Sequence, residues 1–403
     1  MQSSSRQNLI TIGLAYLGFM SLGMYAGLLG LAWPSMQAEF NVSLADQGAL
    51  LLAATVGSLV ASFYSGALAY RFGVGRMLVI SNAAIAVCLF IIALTHSWPI
   101  LLIVMLVIGL GSGAIDAGIN AYAAQHFSER VMNWLHASFG IGVTLTPLMM
   151  TAIFSGQLSW RIGYVVTGIV IAVTAACYLI TQSWWRSTVV LQADSSTPAK
   201  RISMGQTLRL PIVWIGIAML FLVAGLESTP GNWMFTVFTK GRGIAEVTAA
   251  QWVSVYWASF TVGRIFFGFI ISRVNPTILL RVVMLIGLIG AGLLWWNAAP
   301  WIGFVGLTIL GFSLAPIYPV MTSDTPRRTG VEHAANAVGF QVAGAGAGLA
   351  ILPAFAGILA EHISLEIIPP IVFVSMILMF VLFQLSRAYS ARTTLANPAR
   401  QEI

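Results

Sequence analysis

Twelve long apolar runs recur along the chain, separated by short polar stretches. They cover 8–33, 45–70, 77–96, 99–126, 133–155 and 162–183, then 211–238, 248–272, 276–297, 301–323, 333–360 and 366–387. About twenty residues of helix rise roughly 30 Å, the depth of a bilayer's hydrocarbon core. A membrane β-strand needs only about ten residues and alternates apolar with polar, and these runs do not alternate. Each run therefore predicts a membrane-spanning helix, and the fold class is an all-α membrane protein. The first run is too long for the core of a secretory leader and lacks a small-residue cleavage site, so it counts as the first span.

The stretch 184–210 is the long polar interruption. It holds Ser195, Ser196, Thr197 and Pro198 with the basic residues Arg186, Lys200, Arg201 and Arg209. Such a segment predicts a linker between an N-terminal six-helix bundle, 1–183, and a C-terminal one, 211–403. An offset of about 200 residues brings the halves into partial register, as a duplicated parallel repeat would. Gly66 to Arg71, ending the second span, corresponds to Gly268 to Arg273, ending the eighth. Leu110-Gly111 corresponds to Leu310-Gly311, and Asn133 to Asn336. Two pseudo-symmetric six-helix bundles are expected, with any solute site between them near mid-membrane.

Composition agrees with this pattern, since 58% of residues are hydrophobic and 8% charged, where a soluble domain carries about a quarter. The net charge of +7 is concentrated on one side of the predicted spans. Fifteen of the nineteen Lys and Arg side chains fall on the side of the termini and linker. Arg161, Lys240 and Arg242 fall on the other, and Arg264 lies inside a span. This bias puts both termini in the cytoplasm, in a cell inner membrane, and argues against a nucleic-acid surface. Cys88 and Cys177 stand alone inside spans and support neither a disulfide nor a metal site. No GxxxxGK[ST] loop is present, so ATP is not expected to act directly. The histidines at 96, 126, 136, 333 and 362 are scattered, which disfavours an enzyme. No cofactor or metal is expected; the expected partners are a small solute, protons or sodium, and lipid, with the chain a monomer.

Several polar residues lie at depths where they need a reason. Asp116 sits about ten residues inside the fourth span, where an ionised carboxylate costs roughly 2.5–3.5 kcal/mol. Burial favours the neutral acid, a property that suits a reversible proton carrier. Asn120 lies one turn away on the same face. Glu227 is the second intramembrane acid, and Pro230 and Gly231 directly after it predict a bend or opening of the seventh span. It is a candidate to share the proton or contact solute. Arg264 can snorkel, pair with Asp324, or bridge to Glu227, although helix rise suggests about 12 Å of depth between the last two. His136, Asn232, Trp233, Tyr318 between Pro316 and Pro319, and Gln341 are further candidates to line a cavity. Trp98, Trp184, Trp185 and Trp301 fall at span ends and read as an interfacial belt. The run Ala343 to Gly348 reads as a close-packing seam between helices.

The loop after the second span, Gly66-Ala-Leu-Ala-Tyr70-Arg71-Phe-Gly73-Val-Gly-Arg76, resembles the signature Gly-x-Leu-Ala-Asp-Arg-x-Gly-Arg of the major facilitator superfamily. Tyr70 stands where that motif has Asp. The resemblance gives Arg71 and Arg76 a gating or structural role at this loop; for Arg264 and Asp324 the same role is expected from their depth and the pairing open to them. A narrower resemblance joins Gly109 to Asn120, Asn133 to Gly140, Gly225 to Trp233 and Gly263 to Gly268 to the fucose-permease group of proton-coupled sugar symporters. It implies a coupling role for Asp116 and Glu227. Asn120, His136, Asn232, Trp233, Tyr318 and Gln341 are the residues expected to contact substrate, from their polarity or aromatic faces at depth. The acid that the fucose-permease group carries in its first helix has no counterpart in Leu28 to Pro34. The function expected is secondary active, proton-coupled transport of a small, polar, sugar-like solute. The alternatives are a proton-driven exporter and a sodium-coupled symporter. Export is disfavoured because Gly142 to Pro147 lacks the second glycine of the exporter signature.

Overall fold

Helix boundaries fall where the sequence changes character. Pro99, Pro211, Pro276 and Pro300 lie in the first turn of their helices, where a missing N–H costs nothing. Asn41 and Asn297 close helices in the left-handed conformation, the usual stop for a chain that must reverse. Gly73, at φ 78°, turns the second span into the third.

The computed structural model describes residues 2–127, 129–185, 203–271 and 273–396. In chain order its helices are α1 (Gln2–Ala26), α2 (Leu28–Phe40), α3 (Asp46–Phe72), α4 (Val74–Leu94), α5 (Trp98–His126), α6 (Glu129–Ser155), α7 (Arg161–Thr181) and α8 (Met204–Leu208). There follow α9 (Pro211–Thr236), α10 (Glu246–Ile270), α11 (Pro276–Trp296), α12 (Pro300–Leu314), α13 (Ile317–Ser323), α14 (Thr325–Thr329), α15 (Val331–His362) and α16 (Ile368–Ala396). Among the described residues twelve spans are long and apolar enough to cross a membrane, the first built from α1 and α2 and the tenth from α12 and α13. Most of the expected linker, 186–202, lies outside the described residues, as do Ser272 and the side chains of Tyr70 and Asn133.

The spans form two six-helix bundles. In the first, α3 packs on α5, α4 on α7 and α1 on α6. In the second, α9 packs on α15, α11 on α12 and α16, and α10 on α12. Corresponding helices meet through the same kind of seam. A Cβ on Gly142 of α6 would strike the Met20 carbonyl of α1, and one on Gly348 of α15 would strike the Phe221 carbonyl of α9. The expected small-residue seam is therefore present, and the first half has a counterpart between α1 and α6.

A further correspondence sits at the end of the molecule away from the termini, called here the far end. In the first half Arg161, at the start of α7, binds Glu39 of α2 and the carbonyls of Ile92, Ala93 and Thr95 after α4. In the second half Arg242, after α9, binds Glu366 at 2.9 Å through two nitrogens and donates to the Leu294 carbonyl of α11. Both clamps tie the first, third and sixth helices of their bundle. The charges are exchanged between the helices.

Two expectations are corrected. The seventh span does not open at Pro230: α9 runs unbroken to Thr236, and the irregularity is a π turn over Val237–Gly241. The neighbouring helix absorbs the consequences of proline. Pro353 lacks the N–H that would bond the Leu349 carbonyl, and Ser228 of α9 donates to that carbonyl at 2.6 Å instead. Trp185 is not interfacial: it is 1% exposed and packs on Tyr122 and Tyr178.

The halves touch where α10 meets α6, α15 meets α3 and α9 meets α2. Hydrogen bonds across the seam lie toward the far end. Ala45 N donates to Glu361 Oε2 at 2.9 Å, Gln47 Nε2 to the Asn232 carbonyl at 3.3 Å, and Ser254 Oγ to the Thr144 carbonyl at 3.2 Å. Phe154 stacks on Phe235 with ring centres 5.5 Å apart. Gly30 of α2 lies directly against the backbone of Gly231 and Asn232. The far end is closed.

Candidate functional site

Helix periodicity separates two kinds of exposure. On α6 the exposed apolar residues Trp134, Ile141, Leu145 and Leu148 form one stripe. At about 100° per residue, His136 lies about 160° from Trp134, yet it is also exposed. On α10, Val255, Val262, Phe266 and Phe269 form the apolar stripe, and half-exposed Arg264 lies about 180° from Val255. On α5, Ile103, Leu106 and Leu110 are exposed, and Asp116, also exposed, lies about 140° from Ile103. An apolar stripe suits lipid. The polar side chains face the opposite way, into the space between the halves.

Two side-chain contacts form among them. Asp116 Oδ1 accepts from Asn120 Nδ2 at 3.1 Å. Arg264 Nη2 lies 3.7 Å from Glu227 Oε2. Tyr318 is half-buried. The break between α12 and α13, over Ala315 and Pro316, places Tyr318 at the start of a new helical segment. His136 also packs edge-on against Phe19 of α1 at 5.6 Å. The first half thus contributes Asp116, Asn120 and His136; the C-terminal half contributes Glu227, Arg264 and Tyr318.

The Glu227–Arg264 contact overturns the depth estimated from the sequence. The figure of about 12 Å follows from counting depth from the ends of the two spans on the side of the termini; counted from the far ends, Glu227 lies fourteen positions from Gly241 and Arg264 eighteen from the start of α10. Four positions are about 6 Å of rise, which a long side chain covers. The pair is incompletely satisfied: Glu227 Oε1 and Arg264 Nε are buried without a partner. Arg264 also lies 4.5 Å above the Phe260 ring. The Glu227 backbone carbonyl accepts from Tyr256 Oη at 2.8 Å.

Other expected residues are placed elsewhere. Trp233 has no exposed surface, and its Nε1 donates to the Pro353 carbonyl at 2.8 Å, joining α9 to α15 inside the C-terminal half. Asn232 Nδ2 donates to the Ser228 carbonyl at 2.9 Å, and its own carbonyl receives Gln47, so it belongs to the seam. Gln341 accepts from Thr325 Oγ1 at 2.8 Å. It lines a cavity of about 10 Å³ with Arg328 and Ser386 toward the end that carries the termini. Asp324 binds Arg328 at 2.7 Å and not Arg264. Arg71 and Arg76 are exposed on either side of Gly73. Sequence reasoning did not find Trp257, half-buried on the inward face of α10, nor Gln47 and Ser228. Spacing carried a signal for the tryptophan: Trp257 is seven positions before Arg264, on the same face.

The sequence pattern of the Major Facilitator Superfamily matches residues 15–340. Sodium-dependent glucose transporter 1A of Mus musculus is 23% identical over 387 residues, which cover 86% of this chain and 89% of that protein. Two solved structures share the fold. The nucleoside transporter NupG superposes with a TM-score of 0.73 at 14% identity, over 95% of this chain and 98% of its own. FucP, a superfamily transporter in the outward conformation, does so with a TM-score of 0.62 at 16% identity, over 94% and 99%.

Proposed function

The chain belongs to the Major Facilitator Superfamily, and from that premise we propose that it is a proton-coupled importer of a small, sugar-like solute, working by alternating access in a cell inner membrane. The observation that carries this reading is an intramembrane acid on each half, Asp116 bonded to Asn120 and Glu227 paired with Arg264. An acid on each half lets proton binding and release depend on how the halves sit. Asp116 carries the coupling proton. Glu227 exchanges Arg264 for a proton or a solute hydroxyl. Asn120, His136 and Tyr318 contact solute. With both termini cytoplasmic, the closed far end faces outward and the exposed Asp116 and His136 open toward the cytoplasm. The glucose in the name of the mouse relative supports a sugar-like solute. Arg71 and Arg76 bracket the cytoplasmic turn at Gly73, where the halves would meet when that side closes.

The test is uptake of radiolabelled sugars into proteoliposomes under an inward proton gradient without sodium. Wild type is expected to accumulate at least one sugar, and Asp116→Asn to lose accumulation while retaining solute exchange. Accumulation by Asp116→Asn equal to wild type would remove Asp116 from coupling. Sodium is the alternative reading, favoured by the name of the same relative; accumulation with a sodium gradient alone would establish it.

A further inference from the structure

Trp257, Phe260 and Arg264 share one face of α10, three and four positions apart. The helix turns that face away from its lipid stripe: Trp257 lies about 160° from Val255. Phe260 is buried, so the open surface along this face belongs to Arg264 and to the half-buried indole of Trp257. Two turns of helix, about 10 Å, place Trp257 nearer the far end than Arg264. The indole therefore stands beneath the closed seam and above the Glu227–Arg264 pair.

The position of this ring is built. Tyr256 and Phe260 flank it, with ring centres at 5.0 and 5.9 Å. On the α9 side it rests on Gly231, one turn beyond Glu227. A Cβ there would collide with Trp257 Cζ2 and lie 3.1 Å from Cε2. Gly30 of α2 lies against the Gly231 carbonyl oxygen. Any side chain at 231 would push the indole out of place.

We infer that Trp257 is the platform on which a ring-shaped, polyhydroxylated solute stacks. The apolar C–H face of a pyranose covers the indole, while its hydroxyl rim turns to the ion pair one layer below. A flat aromatic face beside a few converging polar groups is how sites of this size obtain both affinity and orientation. The assignment rests on the transport reading and adds its selectivity: closed rings are accepted and open-chain polyols of the same hydroxyl content are not.

The experiment measures equilibrium binding of labelled D-glucose, D-mannose and L-fucose to purified protein, each beside its own open-chain alditol. Wild type is expected to bind at least one pyranose and to bind the matching alditol at least tenfold more weakly. Trp257→Leu should lose roughly tenfold in pyranose affinity and leave alditol binding unchanged. Gly231→Ala should weaken pyranose binding similarly, and adding Trp257→Phe, whose smaller ring leaves room for the new methyl, should recover part of it. A merely structural tryptophan would affect ring and chain alike. Undiminished pyranose binding by Trp257→Leu would overturn the platform and leave the transport reading standing. Equal binding of alditol and pyranose by wild type would also overturn it. Absence of binding to every pyranose would overturn the platform together with the sugar-like reading.

Discussion

Replacement of Gly30 by alanine should open the far end. An added Cβ would lie 2.6 Å from the Gly231 carbonyl oxygen, 2.7 Å from Asn232 Cα and 2.9 Å from the Asn232 carbonyl oxygen. All three atoms are backbone of α9, so no rotamer change relieves the overlap and the helices must part by roughly 1 Å. Overpacking of this kind costs about 1–3 kcal/mol, and the overlap exists only while α2 and α9 are in contact. The equilibrium between closed and open far end should therefore move five- to 150-fold toward open, on the order of tenfold per 1.4 kcal/mol. Gln47, with no exposed surface at the seam, reports this when replaced by cysteine in a background lacking Cys88 and Cys177. The rate of labelling by a membrane-impermeant maleimide should rise by that factor in Gly30→Ala. Both arms carry Gln47→Cys, so the lost bond to Asn232 cancels. Equal labelling rates, in two preparations that melt alike, would refute the claim that the α2–α9 contact holds the far end shut.

Ser228→Ala removes the donor to the Leu349 carbonyl, which Pro353 leaves without its helical partner. The expected cost is about 1–3 kcal/mol, seen as a lower melting temperature in detergent; an unchanged midpoint would mean that the carbonyl is satisfied elsewhere. Arg242→Glu should destabilise by about 2–3 kcal/mol, less than a fully buried pair because Glu366 is 41% exposed. The exchange Arg242→Glu with Glu366→Arg should recover most of that loss, because the first half already uses that polarity at Glu39 and Arg161. A double variant no more stable than the single would show that the two clamps are not equivalent.

The number of spans and their division into halves were legible because lipid imposes a hard constraint: every crossing needs a long apolar run, and here each one was visible. Asp116, Asn120, Glu227 and His136 were legible for the same reason, since an ionisable or polar side chain at depth must be accounted for. Span length and polarity do not say which way a side chain turns between packed neighbours. Trp233 and Trp257 are alike in the sequence, each near a polar residue in an apolar run. Yet Trp233 is held inside the C-terminal half by the Pro353 carbonyl, whereas Trp257 faces the space between the halves. Depth counted from the cytoplasmic ends put Arg264 out of reach of Glu227, because the two spans differ in length and rise from one end does not fix the relative depth of residues on two helices. Proline at 230 predicted a break that did not occur, since a proline inside a membrane span does not by itself break the helix.

The seam and the site share one stretch of α9. Glu227 binds Arg264; Ser228 holds α15 through Leu349; Gly231 receives Trp257; Gly30 lies against the Gly231 carbonyl and Asn232; the Asn232 carbonyl receives Gln47. These four residues lie within positions 227–232, little more than one and a half turns, so they move as a rigid unit. Opening of the far end would part α2 from this stretch, while Trp257 rests on the same stretch from α10, so the seam and the site meet on one helix. It also means that Gly231 cannot be altered for one purpose alone: a substitution that loosens the seam must also disturb the ring above the ion pair.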